Sequence, residues 1–397
     1  MKKLMTFAIF LMISVATFAQ QALWGGQEIV SPEIKADNTV TFRLNAPQAI
    51  KVEITGDFLA PTKTETPYGV FDLPGTADLI KNEKGVWEYT TPEPLQPELY
   101  SYTFIVDGAK VTDPSNVYMI RDVASVTSVF IIGGERADLY KVNSVPHGTV
   151  ARRWYESSTL KITRRLTIYT PAGYEASKEN YPVLYLLHGM GGDEEAWIAL
   201  GRTAQILDNL IAQGKAKPMI IVMTNGNVEQ EAAPGESALG FYKPSMRMTR
   251  TMDGDMEQSF PDIVNFIDNN YRTLKQKSGR AICGLSMGGF HSLHISKEYP
   301  DMFDYIGLFS AAIIPNENAK SAVYENLEEK LKVQFAKNPK LYWIAIGKTD
   351  FLYKANEDYR KLLDNKGYKY IYYETGEGHI WKNWRIYLSE FVPLLFR

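Results

Sequence analysis

One serine stands at the spacing of a nucleophile turn. Residues 281–290 read AICGLSMGGF, so that Gly284, Ser286 and Gly288 form a G-x-S-x-G pattern between an apolar run and an apparent helix. In this context the pattern indicates a sharp strand-to-helix turn that presents the serine side chain. A Cβ at either flanking glycine would clash, because the strand and helix backbones lie close together there. Ser286 is therefore a candidate nucleophile, which needs a base, an orienting acid and an oxyanion hole.

Candidates for the base and the acid follow apolar runs in the second half of the chain. Asp350 comes after the run 342–346, and His379 stands in a glycine-flanked loop after the run 370–373. Ligands of open α/β sheets bind at the carboxyl ends of the strands, so these side chains are expected to meet Ser286 there. We expect His379 to act as general base and Asp350 to fix its tautomer. The chain order serine, acid, histidine is that of the α/β-hydrolases.

A glycine-rich loop, HGMGGD at residues 188–193, follows a third apolar run at 183–187. Backbone N–H groups of such a loop can turn toward a developing anion. Together with the N–H of Met287, the residue after the nucleophile, they predict a two-donor oxyanion hole in which Met190 supplies the second donor. We expect the side chain of His188 to support this loop. The loop lacks the Gly-Lys-Ser/Thr ending of a phosphate-binding loop.

Three aromatic residues are candidates for substrate binding. Trp197, Tyr242 and Trp381 could line an acyl or sugar pocket by stacking on a ring, and core packing is an equal alternative for each of them. The methionine-rich segment 225–255 is either a lid or an ordered surface loop. No metal and no cofactor are expected, because the sequence has no His-x-x-x-His motif, no paired cysteines and no carboxylate repeat.

Length and composition indicate a two-domain globular protein. The chain has 397 residues, more than the size at which a single hydrophobic core usually stops growing. Hydrophobic residues make up 45% of it. A net charge of −3 provides no electrostatic reason to expect nucleic acid or an anionic membrane as a partner. Residues 1–19 have the basic start, the short apolar stretch and the small-x-small ending of a signal peptide, which predicts export to the periplasm or the medium and no membrane span after cleavage.

The pattern of the chain changes once. Residues 20–137 show short strands separated by turns, which predicts an all-β sandwich of immunoglobulin-like size. Residues 138–158 are predicted to be a linker. Residues 159–397 alternate strands and helices, which predicts an α/β domain with a largely parallel sheet. Its predicted strands are 165–169, 183–187, 219–223, 281–283, 305–309, 342–346 and 370–373, and its predicted helices are 203–213, 258–271, 319–335, 356–363 and 384–395.

These motifs carry a family resemblance. From about residue 145 onward the chain resembles carbohydrate esterase family 1, in the esterase D group of feruloyl, acetylxylan and enterochelin esterases. The resemblance rests on YTPAGY at 169–174, LLHGMGGDE at 186–194, GLSMGG at 284–289, GKTD at 347–350 and Gly378-His379. It implies an α/β-hydrolase fold, with Ser286 as nucleophile, His379 as base, Asp350 as acid, and Met190 and Met287 as oxyanion donors.

The first part of the chain has a resemblance of its own. It is similar to early-set immunoglobulin-like domains related to family 48 carbohydrate-binding modules, on the basis of VTFRLNAP at 40–47, GVWEY at 85–89 and YSYTFIVDG at 100–108. The resemblance implies a module attached to a carbohydrate-active enzyme. Such modules either bind glycan or only pack on the catalytic domain.

The combined expectation is a serine esterase that removes feruloyl or acetyl groups from plant cell-wall polysaccharide such as xylan, through an acyl-enzyme on Ser286. One alternative is an enterochelin-type siderophore esterase, in which Arg247 and Arg250 would meet an anionic catecholate. Another is a non-catalytic glycan-binding protein with a degenerate esterase domain. The intact set of serine, acid and histidine argues against this second alternative.

Overall fold

The computed structural model describes residues 29–66, 69–239, 250–315 and 319–397. The described residues divide into two compact units: the first contains those within 29–55, 59–95 and 103–117, and the second contains those within 56–58, 96–102 and 118–397. The predicted signal peptide at 1–19 lies outside the described residues.

The described chain up to residue 132 is built from short strands. One sheet has the order β1-β2-β8-β7, a second has the order β11-β12-β9-β3-β6 with β10 on β9, and β4 pairs with β5. This all-β architecture confirms the predicted class of the N-terminal domain. The strands are β1 Glu33–Ile34, β2 Val40–Asn45, β3 Val52–Gly56, β4 Thr62–Thr66, β5 Gly69–Leu73, β6 Gly75–Asp78, β7 Ile80–Lys81, β8 Val86–Thr90, β9 Glu98–Val106, β10 Ala109–Val111, β11 Met119–Asp122 and β12 Ser125–Ile132.

Alternating burial explains these strands. Along β3, Val52 and Ile54 are fully buried, whereas Glu53 between them and Thr55 after them are partly exposed. Successive side chains of a strand point to opposite faces of the sheet, so the VEIT sequence places its apolar residues on one face. The burial pattern of β3 therefore follows the alternation in its sequence.

An eight-stranded sheet forms the centre of the second unit. Its order is β13-β14-β16-β15-β17-β18-β19-β20; β14 pairs antiparallel with β13 and β16, and the remaining pairs are parallel. The predicted α/β fold with a largely parallel sheet is confirmed. The strands are β13 Thr149–Ser157, β14 Ile162–Thr170, β15 Val183–Leu187, β16 Ile220–Thr224, β17 Arg280–Leu285, β18 Tyr305–Phe309, β19 Leu341–Gly347 and β20 Ile371–Thr375.

Helices cover both faces of this sheet. Leu184 and Leu186 of β15 belong to a core cluster that also contains Leu207 and Leu388, whereas Tyr185 of β15 belongs to a second cluster that contains Phe260 and Tyr359. The strand is therefore buried on both sides, as its continuous apolar run requires. The helices are α1 Ala196–Ala199, α2 Thr203–Ala212, α3 Asp255–Asn270, α4 Met287–Glu298, α5 Leu327–Ala336, α6 Tyr353–Asn365 and α7 Trp381–Phe391, with 3-10 turns at Glu135–Tyr140, Lys277–Gly279 and Val392–Leu394.

Two sequence predictions need correction. The segment 138–158, predicted to be a linker, contains β13, whose sequence TVARRWYES has no apolar run because it is the edge strand of the sheet. The helix predicted at 319–335 begins only at Leu327, because Asn326 adopts a left-handed conformation with φ 54° that cannot lie inside a helix. Within the described part of the chain, no helix is both long enough and apolar enough to cross a membrane.

Candidate active site

The strand order places the candidate site. The chain passes from β15 outward to β16 and then returns to β17 on the other side of β15. Such a reversal opens a crevice at the carboxyl ends of the two strands that flank it. Loop 188–193 follows β15, and Ser286 follows β17 directly. The two stretches that the sequence singled out therefore border one crevice.

Ser286 lies at the junction of β17 and α4 with φ 77° and ψ −106°. Its N–H donates to the carbonyl of Phe309 at 2.9 Å, and its own carbonyl accepts from the N–H of Phe290 at 2.9 Å and of Ala312 at 3.0 Å. Neighbouring elements thus hold the serine backbone on both sides. The turn predicted from the G-x-S-x-G pattern is present.

The two glycines of the pattern are required by close backbone contacts. A Cβ on Gly288 would lie 2.3 Å from the carbonyl oxygen of Leu187, and one on Gly284 would lie 2.5 Å from the carbonyl carbon of Gly288. Both obstacles are main-chain atoms, which cannot move aside as a flexible side chain can. The absence of side chains here lets α4 begin directly against the end of β15.

Asp350, His379 and Ser286 are connected by two hydrogen bonds. His379 Nε2 is 3.0 Å from Ser286 Oγ, and His379 Nδ1 is 2.9 Å from Asp350 Oδ2. Asp350 is buried, and its other carboxylate oxygen accepts the N–H of Leu352 at 2.9 Å. Because a carboxylate only accepts hydrogen bonds, Nδ1 carries the proton and Nε2 is left to accept the serine hydroxyl. The structure brings the three predicted residues together.

Aromatic rings enclose the imidazole of His379. Its centroid lies 4.6 Å from that of Phe351 and 4.9 Å from that of Trp384. The His379 side chain keeps 19% of its surface exposed. The ring is therefore held between two aromatic neighbours, with an open side toward solvent.

The orientation of one peptide group decides whether Met190 can serve as a donor. The carbonyl of Gly189 accepts from His188 Nδ1 at 2.6 Å and from the N–H of Gly192 at 3.1 Å. In a trans peptide the C=O and the following N–H point in opposite directions. The Met190 N–H therefore points away from His188 and Gly192. A Cβ at Gly189 would lie 3.4 Å from Ser286 Cβ, so this peptide adjoins the serine.

His188 supports the loop, as predicted, through both of its ring nitrogens. Its Nε2 accepts the N–H of Gly226 at 2.8 Å, which leaves Nδ1 to donate to Gly189. Burial lowers the pKa of His188 to about 4, so the ring is neutral at physiological pH. A neutral imidazole has one donor and one acceptor, as these two bonds require.

Met287 is the first residue of α4. The first N–H groups of a helix have no partner within it and carry the positive end of its dipole. Met287 itself is buried, whereas the side chain of Met190 is exposed. Its helix-terminal position suits the Met287 N–H to an anion bound at the nucleophile.

A buried ion pair beside the site was missed by the sequence predictions. Arg165 Nε lies 2.8 Å from Glu194 Oε1, with side chains 3% and 0% exposed. Glu194 also accepts the N–H of Ala233 at 2.8 Å and the side-chain amide of Asn225 at 2.9 Å.

Arg164 Nη2 donates to the carbonyls of Asn225 and Asn227. The start of segment 225–255 is therefore an ordered loop. The only sequence signal for the Arg165–Glu194 ion pair was the position of Glu194 next to the glycine-rich loop.

The three predicted substrate-binding residues differ in their outcome. The prediction for Trp197 is wrong: it is 1% exposed and donates from Nε1 to the carbonyl of Leu187 at 2.9 Å, so it is a core residue behind the loop. Trp381 begins α7 two residues after His379, with its ring 5.3 Å from that of Trp197, and its role stays a prediction. Tyr242 lies outside the described residues. So does Arg247, whereas Arg250 forms ion pairs with Asp253 and Asp255.

Separate family models match the two parts of the chain. The family model described as "Putative esterase" matches residues 157–394. The chain belongs to this esterase family. The model for carbohydrate-binding module 48, also described as the isoamylase N-terminal domain, matches residues 30–119. Both resemblances read from the sequence are confirmed.

Individual relatives of this esterase have related names. A protein named endo-1,4-beta-xylanase/feruloyl esterase from Xylanibacter ruminicola is 30% identical over 300 residues, which are 74% of this chain and 38% of that protein. An acetyl esterase from Caldicellulosiruptor saccharolyticus is 26% identical over 248 residues, 54% of this chain and 83% of the relative. The chain thus covers well under half of the first of these proteins.

Solved structures share the fold. The CE1 ferulic acid esterase of Anaeromyces mucronatus has a TM-score of 0.52 at 23% identity, over 71% of this chain and 97% of that one. The enterobactin esterase of Shigella flexneri has a TM-score of 0.59 at 16% identity, over 89% of this chain and 92% of that one. At these identities the two structures support the fold and do not choose between substrates.

Proposed function

We propose that this esterase hydrolyses carboxylic esters by a serine mechanism, with Ser286 as nucleophile, His379 as base and Asp350 as orienting acid. The observation that carries the proposal is the chain of hydrogen bonds of 3.0 and 2.9 Å from Ser286 through His379 to Asp350. Separations of this size allow direct proton transfer between the hydroxyl and the imidazole.

The reaction has two steps. His379 Nε2 takes the proton of Ser286 as Oγ bonds to the ester carbonyl carbon, and the N–H groups of Met190 and Met287 hold the oxyanion. The intermediate collapses, the alcohol leaves with the proton from His379, and an acyl group stays on Ser286. Water then gives a proton to His379 as its oxygen bonds to the acyl carbon. The bond from that carbon to Oγ breaks, the acid leaves, and His379 returns the proton to Oγ, which restores Ser286.

The proposed substrates are feruloyl or acetyl esters on plant cell-wall polysaccharide such as xylan. Support comes from the names of two relatives, feruloyl esterase and acetyl esterase, and from the match of residues 30–119 to a carbohydrate-binding module. Trp381 beside His379 is the proposed aromatic contact for a ferulate ring. We also propose export, on the basis of residues 1–19, which N-terminal sequencing of the mature protein would test.

A substrate panel tests this proposal. Wild type and Ser286→Ala are assayed on methyl ferulate, acetylated xylan, 4-nitrophenyl acetate and enterobactin. We expect hydrolysis of ferulate or acetyl esters by wild type and a loss of roughly 10⁵-fold or more in Ser286→Ala. Unchanged activity in Ser286→Ala would contradict the serine mechanism. Hydrolysis of enterobactin alone would instead indicate a siderophore as the substrate. Inactivity on all four compounds would favour a glycan-binding protein.

A further inference from the structure

Arg121 lies outside both family matches, between residues 119 and 157, yet it contacts the glycine-rich loop. It belongs to β11, and its Nη2 is 2.6 Å from Asp193 Oδ2. Its Nη1 donates to the carbonyl of Val123 at 3.0 Å, which fixes the guanidinium locally. The side chain of Asp193 is only 4% exposed. The carboxylate is therefore largely removed from water, and the pair is stronger than an ion pair between two exposed groups.

Asp193 ends the loop and defines its shape. Its second oxygen, Oδ1, accepts the N–H of Glu195 at 3.0 Å, and its carbonyl accepts the N–H of Ala196 at 3.1 Å. The preceding residue, Gly192, is held from both sides: its carbonyl accepts from Asn227 Nδ2 at 2.8 Å, and its N–H donates to Gly189. That last bond is one of the two that orient the peptide bearing the Met190 N–H. The contacts therefore run continuously from Arg121 to the proposed oxyanion donor.

We propose that Arg121 is a positioning residue for the oxyanion hole. By neutralising and anchoring Asp193, it keeps loop 188–193 in the shape in which Met190 N–H faces the substrate carbonyl. This inference rests on the proposed esterase function. It assigns to a strand that precedes the esterase match a part in stabilising the transition state, although Arg121 itself does not touch the reacting atoms.

The test compares Arg121→Ala and Arg121→Lys with the matched control Arg136→Ala. Arg136 also forms a 2.7 Å ion pair, with Glu390, and neither residue belongs to the loop or to the hydrogen-bonded chain of Ser286. Because loss of a whole oxyanion donor costs about 10²–10³ in kcat, we expect about a tenfold loss of kcat in Arg121→Ala with KM within about twofold. Arg121→Lys keeps the charge, so its kcat is expected to lie between those of wild type and Arg121→Ala. Arg136→Ala is expected to have the kcat of wild type.

Hydrogen exchange supplies a readout that needs no substrate. Amides of residues 188–193 are expected to exchange faster in Arg121→Ala than in wild type or Arg136→Ala. The isosteric Asp193→Asn is expected to show the same lower kcat and the same faster exchange. Adding Arg121→Ala to Asp193→Asn is expected to change little more, because the same contact is already lost. Unchanged exchange and kcat in Arg121→Ala would overturn the proposal. Ester hydrolysis that survives Ser286→Ala would instead overturn the proposed function, and exchange would still decide the role of Arg121 in the loop.

Discussion

Asp350 shows how one atom can determine the state of the base. Its two oxygens have different partners: Oδ1 accepts the N–H of Leu352, and Oδ2 faces Nδ1 of His379. An asparagine in this place must keep its oxygen toward Leu352, so its amide nitrogen would face the histidine and donate to Nδ1. His379 would then carry its proton on Nε2, where it cannot accept the proton of Ser286.

Asp350→Asn is therefore expected to lower kcat by about 10³–10⁴ while KM changes little, since the wrong tautomer is favoured and the imidazolium is not stabilised. Steady-state kinetics on methyl ferulate or 4-nitrophenyl acetate measure the effect. Asp358→Asn, on the exposed surface of α6, is the matched control and should retain wild-type kcat. A loss below about tenfold in Asp350→Asn would contradict the assigned tautomer.

At the scale of elements, the site depends on how closely α4 approaches the end of β15. Gly288→Ala would place a Cβ 2.3 Å from the carbonyl oxygen of Leu187 and 2.6 Å from that of His188. The helix or the loop must move, and overpacking of this kind costs about 1–3 kcal/mol. We expect a lower urea midpoint for Gly288→Ala together with a loss of activity.

The matched control is Gly376→Ala, because in the described part of the chain a Cβ there has no atom within 4 Å apart from its chain neighbours. An open surface substitution of this kind is expected to change the free energy of unfolding by less than about 0.5 kcal/mol. Equal urea midpoints for the two variants would contradict the close approach of α4 to β15.

Elements with a strong local pattern were predictable from sequence, and contacts between distant residues were not. β15 and β18 were predicted to the residue, because both are continuous apolar runs buried on two faces. β13 was missed because an edge strand carries arginines in place of such a run. Chain order identified Ser286, Asp350 and His379, whereas the Arg165–Glu194 and Arg121–Asp193 pairs join residues 29 and 72 positions apart and leave no periodic signal. The burial of Trp197 likewise depends on tertiary packing.

At the scale of the whole molecule, the buried histidines His188 and His294 are expected to lower the free energy of unfolding on acidification, whereas Asp57, whose pKa burial raises to about 6, contributes in the opposite direction. Burial lowers the pKa of His188 to about 4 and the pKa of His294 well below its ordinary value, whereas in the unfolded chain both titrate near 6.5. Between these values the unfolded state binds more protons, so the free energy of unfolding falls as pH falls. For His188 alone, the loss in the free energy of unfolding is about 3 kcal/mol, and it develops progressively as the pH falls from about 6.5 to about 4.

Urea unfolding at pH 7.5 and pH 5 measures the sum of these contributions, and a variant isolates one of them. His294→Leu removes one buried titrating group and keeps an apolar side chain beside Phe290, so the difference between the two pH values should become smaller than in wild type. A difference as large as that of wild type would show that His294 does not contribute to the acid sensitivity.

The backbone of Ser286 has a consequence for how such a protein changes under selection. A φ of 77° with a ψ of −106° is a conformation that an L-residue adopts only at a cost of about 1–3 kcal/mol, whereas glycine adopts it with little penalty. In a mutant library sorted for thermal tolerance alone, glycine at position 286 would therefore be enriched and the proposed nucleophile lost. Serine persists at this position only while its chemistry is selected together with the fold, so directed evolution of this chain must screen for turnover in every round.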